Sequence, residues 1–248
     1  MELTELRKIS ARLGIPQGTV EKDYVISAVL REIAESGLKD SIIFKGGTAL
    51  KKVYFADARF SEDIDFSVIG KDQTAVEALV RRMFDGKKFE GIEILKVEHE
   101  RSQAGLRMAL KFLGPIGHPQ RIRLDFSFRE KPAAAVKEER TIDSYGQSIC
   151  SIKVLSLAEI MAEKIRAISS RSAPRDLYDI WYLTTKGVSI DSKLVAKKFS
   201  LYGEKFEKEN VIKRLEEFKQ KWKNDLQPFM AKVPPFESIA DKVRHILP

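Results

Sequence analysis

Lys45-Gly46-Gly47-Thr48-Ala49-Leu50 and Arg59-Phe60-Ser61-Glu62-Asp63-Ile64-Asp65-Phe66 bracket the stretch whose reading decides the fold. Just ahead of it, Ile42-Ile43-Phe44 is a short apolar run of the kind that forms a buried strand. Gly46 and Gly47 allow a tight turn with close backbone approach to a ligand. Residues 48–55 read as a short helix whose first N–H groups face back toward that turn, an arrangement suited to a phosphate. The next strand begins near Ser61. Its alternation sends Ile64, Phe66 and Val68 to one face and Asp63, Asp65 and Ser67 to the other.

That alternation carries the chemistry. Carboxylates at i and i+2 of a strand share a face about 6–7 Å apart and repel unless a cation sits between them. Oxygen-only ligation with open positions for phosphates suits Mg²⁺ or Mn²⁺. Metal held this way can activate an attacking oxygen and neutralise a leaving pyrophosphate. Taken alone, D-x-D describes a solvated strand face, and Gly-Gly describes a turn. The order of strand, Gly-Gly turn, helix and acidic strand is far more specific.

Composition sets bounds. The chain has 248 residues, 43% hydrophobic and 32% charged, enough for a sizeable core. Its formal net charge of +8 favours polyanionic partners such as nucleotides or RNA. One cysteine, Cys150, supports neither an internal disulfide nor a cysteine zinc cluster. No apolar run approaches the ~20 residues of a membrane span. The opening Met-Glu-Leu-Thr-Glu lacks a signal-peptide pattern, so a cytoplasmic protein with no membrane partner is expected.

Along the chain, residues 3–13 read as a helix ended by Gly14-Ile15-Pro16, and residues 20–35 as a longer one closed by Gly37. Lys22 and Asp23 are read as a solvated first turn, with a role at the site as the alternative. Residues 72–84 have helical spacing, and 92–98 suit a strand. Residues 105–112 and 121–128 alternate as two further strands. Arg107 and Lys111 take the polar face of the first, and Arg123, Asp125 and Ser127 that of the second. Should both join the sheet of Asp63 and Asp65, Asp125 becomes a third metal carboxylate; an exposed strand aspartate is the alternative. Residues 130–150 read as a loop with an extended return.

From Leu155 the pattern is helical, with Ser156 and Glu159 as a capping box. Lys164 falls within the apolar stripe of Leu157, Ile160, Met161, Ile165 and Ile168. An unpaired buried charge is costly, so it either snorkels to water or faces a polar cleft. Pro174-Arg175-Asp176 suits a helix start, with Asp176 as a cap-proximal acid paired to Arg175. The remainder is largely helical and lysine-rich. The fold class is α+β, with a mixed sheet flanked by helices. A core at 1–150 is followed by a helical region at 151–248 that completes the cleft.

Gly46-Gly47-Thr48 followed by Asp63-Ile64-Asp65 resembles the signature of the DNA polymerase β-like nucleotidyltransferase superfamily. The fuller Lys45–Phe66 block is similar to the AbiEii/AbiGii family, toxin components of toxin–antitoxin and phage-defence systems. Residues 18–185 carry the resemblance through Val20–Tyr24, Lys45–Phe66, Leu124–Ser127 and Glu163–Leu183. It implies that Gly46, Gly47, Asp63 and Asp65 bind nucleoside triphosphate and Mg²⁺ or Mn²⁺, with Asp125 as the later acid. It makes Arg59 and Ser61, otherwise plain loop residues, ones that position the loop or the triphosphate beside Thr48. Lys164 matches the family's helical lysine, and Arg175, Asp176 and Asp179 its final motif, with Asp176 implicated in activity. The activity implied is transfer of a nucleotide to an acceptor, a tRNA 3′ end in some members, with a cognate antitoxin as partner. Nucleotidylation of a protein or small molecule, and a catalytically inactive RNA-binding or partner-binding module, are the competing readings.

Overall fold

Ile42–Lys45 (β1) and Asp63–Val68 (β2) pair antiparallel at the centre of an eight-stranded sheet. The chain is described by a computed structural model covering residues 1–103, 105–171 and 173–248. Ser172, within the Arg171–Asp179 stretch, therefore lies outside the described residues. The strand order is β3-β4-β5-β6-β2-β1-β8-β7. The remaining strands are Lys88–Phe89 (β3), Ile92–Arg101 (β4), Gly105–Leu113 (β5), Pro119–Ser127 (β6), Lys137–Arg140 (β7) and Ser151–Val154 (β8). β2 runs parallel to β6, and β1 parallel to β8; the other neighbours are antiparallel. The sheet is thus mixed.

One face is apolar because the alternation makes it so. Phe44, Phe66 and Phe126 stand in adjacent strands, fully buried, with ring centroids 5.6 and 5.3 Å apart. Leu106, Met108, Leu110, Phe112, Ile122 and Leu124 continue that layer. Two helices of the same unit, Gln17–Ala34 (α2) and Gln73–Phe84 (α4), contribute the buried Val25, Val29, Ile33, Val76 and Val80. The first helix, Leu3–Leu13 (α1), ends on Gly14 at φ 64°, where a side chain would be strained.

Three details depart from the sequence reading. α2 begins three residues earlier, at Gln17, and runs to Ala34 with Glu35, not Gly37, as its C-cap. The helix after β1 begins at Gly46 itself, as Gly46–Ala49 (α3) with a π-helical continuation Leu50–Tyr54. Asp23 is not solvated: it is 1% exposed, 2.7 Å from the Lys52 ammonium, and accepts from the Tyr145 hydroxyl at 2.6 Å. Lys52 also reaches Ser27 Oγ at 2.7 Å. Burial pushes the Lys52 pKa down, although Asp23 opposes that. This cluster ties the turn helix to α2 and to the loop before β8.

The chain divides into two units, residues 1–131 with 136–154, and residues 132–135 with 155–248. The second is helical: Leu157–Ser170 (α5), Pro174–Thr185 (α6), Ser192–Ser200 (α7), Lys208–Leu215 (α8), Trp222–Leu226 (α9) and Phe236–Ile246 (α10). Val211, Leu215, Phe218 and Trp222 form a buried seam, whereas Phe206, at the same apolar spacing, is only half-buried. Ser156 caps α5, its hydroxyl accepting from the Glu159 N–H at 3.3 Å, but the Glu159 carboxylate does not fold back to complete the box. That carboxylate accepts from the Ala133 and Ala134 N–H groups and pairs with Lys198 at 2.6 Å. Among the described residues, no helix is long and apolar enough to cross a membrane.

Candidate active site

The polar face of the sheet is a lattice of in-register rows. One row crosses five strands: Glu100 (β4), Arg107 (β5), Asp125 (β6), Asp65 (β2) and Lys45 (β1). Register partners on neighbouring strands share a face and lie about 5 Å apart. Charges along this row alternate except at one place, where Asp125 stands beside Asp65. Like charges in that relation are destabilising. The row therefore holds a doubled negative charge at its centre. Asp63 lies one row away on the same face, opposite Arg123. The structure thus brings Asp63, Asp65 and Asp125 together on one side of the sheet.

Arginines stand against two of these acids. Arg107 Nε donates to Asp125 Oδ1 at 2.9 Å, and Arg123 Nε to Asp63 Oδ1 at 2.9 Å. The Asp125 carboxylate raises the Arg107 pKa. Lys45, buried, pairs with Glu130. Lys45, Asp65, Glu100, Arg107, Asp125 and Glu130 line a cleft of about 400 Å³. Neither Lys45 nor either arginine was assigned to the site from the sequence. The signal for them is register, which spacing alone does not supply.

Gly46 sits on the acid row's edge at φ +78°. A Cβ there would run into Asp65 Oδ2 and lie 3.1 Å from its Cγ. Only glycine fits both the backbone and the space. Gly46→Ala is expected to cost about 1–2 kcal/mol through its left-handed backbone and to displace Asp65. Chemical denaturation and transfer assays on the purified variant check this; unchanged stability and activity would contradict it.

The other predicted binders are placed as follows. Gly47 and Thr48 are buried, and the Thr48 hydroxyl donates to the Asp63 carbonyl, bracing the turn against β2. Arg59 is 6% exposed and donates to the Phe60 carbonyl at 2.9 Å, and Ser61 is buried. Among the described residues, no three His, Cys, Asp or Glu side chains are grouped to hold a metal ion. The donor chemistry fits a hard cation nonetheless: carboxylate oxygens only, doubled where Asp65 meets Asp125.

In the helical unit, Lys164 does not snorkel. Its ammonium lies 2.8 Å from Asp176 and 2.8 Å from Asp179, with all three side chains at most 9% exposed. Asp176 also accepts from Arg171 Nε at 2.9 Å. Its partners are therefore Lys164 and Arg171, not the expected Arg175, which lies over the Phe229 ring. Burial works to raise the Asp176 pKa, but Lys164 and Arg171 outweigh it and hold the carboxyl at about 2. A group with so little proton affinity is a poor base near neutral pH. What the structure shows is that it holds the Lys164 ammonium in place.

A central β1–turn–helix–β2 unit thus carries a glycine packed on one acid, with a second acid in register on the parallel neighbour, the arrangement expected of a nucleotidyltransferase. The sequence model described as "Nucleotidyl transferase AbiEii toxin, Type IV TA system" matches residues 28–245, and the chain belongs to that family. Among solved structures, the chain is similar to MenT4, a nucleotidyltransferase toxin from Mycobacterium tuberculosis H37Rv. That match has a TM-score of 0.73 and 20% identity, covering 99% of this chain and 88% of that one. It is also similar to an antigenic nucleotidyltransferase-like protein from Paracoccidioides brasiliensis, with TM-score 0.46 and 16% identity over 86% of this chain and 94% of that one. No curated protein matches the chain.

Proposed function

We propose that this nucleotidyltransferase uses Mg²⁺ or Mn²⁺ to move a nucleotide from a nucleoside triphosphate onto a tRNA 3′ end, acting in the cytoplasm as a toxin opposed by a cognate antitoxin. The observation that carries the reading is Asp65 beside Asp125 in register, with Gly46 packed against Asp65. Asp63, Asp65 and Asp125 would hold the cation. When bound, it neutralises the triphosphate and lowers the proton affinity of the attacking hydroxyl. The Gly46-Gly47 backbone lets the phosphates approach closely, with Arg59 and Ser61 positioning the triphosphate. Lys45, held by Glu130, adds positive charge to the cleft wall. The acceptor oxygen bonds to the α-phosphorus as the bond to pyrophosphate breaks, and the hydroxyl proton passes to solvent. Lys164, oriented by Asp176, is assigned the offsetting of phosphate charge.

Incubation of the purified protein with each radiolabelled NTP, total tRNA and Mg²⁺ tests the reading. Label is expected on RNA, dependent on the divalent ion and lost with chelator. Label on protein or a small molecule instead would move the acceptor assignment. No transfer from any NTP would leave only a binding module.

A further inference from the structure

Beyond the acid row, the same sheet face carries a second row of unusual charge. Lys96 (β4), Lys111 (β5) and Arg121 (β6) lie directly opposite one another across three strands. All three are exposed. Like charges in this relation weaken a sheet, so the fold accommodates a local liability here. Glu98 pairs with Lys96 at 3.0 Å and offsets only part of it. Arg121 lines a groove of about 280 Å³ with Glu98, Glu100, Arg107 and Arg123. Glu100 and Arg107 also line the acid cleft, so groove and cleft adjoin. Arg121 and Asp125 are four residues apart on one strand, ~13 Å.

The chemistry of the intervening face selects the partner. Its in-register positions are Glu98, Ala109 and Arg123, then Glu100, Arg107 and Asp125. They hold no apolar side chain larger than Ala109. Protein interfaces bury an apolar core, and this face offers none. A row of cations lying two rows from the acid row, with Arg123 between them, suits a chain of repeating phosphates.

We propose that Lys96, Lys111 and Arg121 bind the phosphodiester backbone of a nucleic-acid acceptor a few nucleotides in from its reacting end. This rests on the acceptor reading above and adds the surface that carries it. The face sets register on the acceptor without reading bases, because phosphates carry no sequence information.

Fluorescence anisotropy with a short labelled single-stranded RNA, without NTP or divalent ion, provides the test. Wild type, Lys111→Glu/Arg121→Glu, Arg121→Gln and Asp65→Asn are compared across ~50–200 mM salt. The double reversal is expected to weaken binding at least tenfold at the low-salt end and to flatten the log–log salt slope. Arg121→Gln should reduce the slope by ~0.7, one phosphate contact on a single strand. The slope reports contacts per bound molecule, so partial unfolding of a variant does not mimic the result. Asp65→Asn should bind at least as tightly as wild type. An unchanged slope in both row variants would overturn the proposal, as would wild type that binds only an acidic protein and no RNA. Row-dependent RNA binding without label transfer would sink the catalytic reading and leave this one standing. Undiminished transfer to RNA by the double reversal would do the opposite.

Discussion

Asp65→Asn is expected to lower nucleotide transfer by ~10²–10³-fold or more, the scale of losing one preorganised electrostatic contact to the transition state. The fold should survive it. Asp65 lies opposite Asp125, so the substitution relieves a like-charge pair rather than opening the core. Asparagine keeps the shape packed against Gly46 and removes the charge. Two measurements separate a chemical role from a structural one. The first is transfer from labelled NTP under saturating conditions. The second is the rise in Tm on adding Mn²⁺, because a ligand that binds only the folded state must stabilise it. Wild type should show the rise and Asp65→Asn should not. A variant that keeps transfer within a few-fold, or keeps the Mn²⁺ shift, removes Asp65 from the metal-binding set.

The second large effect falls on stability. Lys164→Met is expected to destabilise the protein by about 3–5 kcal/mol, because it leaves the Asp176 and Asp179 carboxylates buried without their shared ammonium. For a chain this size that corresponds to a Tm lower by about 10 °C. Lys164→Met/Asp176→Asn/Asp179→Asn removes the stranded charges and should recover most of that loss. If Lys164 acts on phosphate, the triple variant regains stability without regaining transfer. Transfer that returns with stability would make the cluster purely structural.

The pH dependence follows from Asp176. Its carboxyl is held at about 2 in the folded state, below the ~3.9 of an unperturbed aspartate. The folded protein therefore releases this proton more readily than the unfolded chain. Its contribution is complete above about pH 4 and is lost as pH falls through the folded value. Urea denaturation of wild type should show that acid limb, reduced in Asp176→Asn. A limb of equal size in the variant would place its origin elsewhere.

Local periodicity was enough to place β2, β4, β5, β6 and most of the helices, and an apolar run placed β1, while β3, β7 and β8, of two to four residues, are too short to show a period. Ile64, Phe66 and Val68 against Asp63, Asp65 and Ser67 is a period of two. That pattern gave the strand, its buried face and its two acids before any tertiary contact was known. The same rule put Asp125 on the polar face of a later strand. It did not show that Asp125 stands beside Asp65, because register between β2 and β6 is set across more than fifty intervening residues. Asp23 illustrates a different failure. Near a helix start an aspartate reads as solvated, and only the arrival of Lys52 and Tyr145 from distant segments makes its burial tolerable.

The helical unit shows the division just as clearly. An apolar stripe interrupted by Lys164 signalled that something must pay for a buried ammonium. The partners, Asp176 and Asp179 on the next helix, depend on how α5 and α6 pack. The residue sequence by itself determined the longer elements, the glycine turn, the acids and the family, since each is written in short-range spacing and residue type. Tertiary structure alone decided which charges became neighbours: the doubled acid between β2 and β6, the arginines set against Asp63 and Asp125, and the cation row of β4, β5 and β6. Electrostatic energy depends on distance through space, and distances between residues far apart in the chain come into being only when the sheet closes.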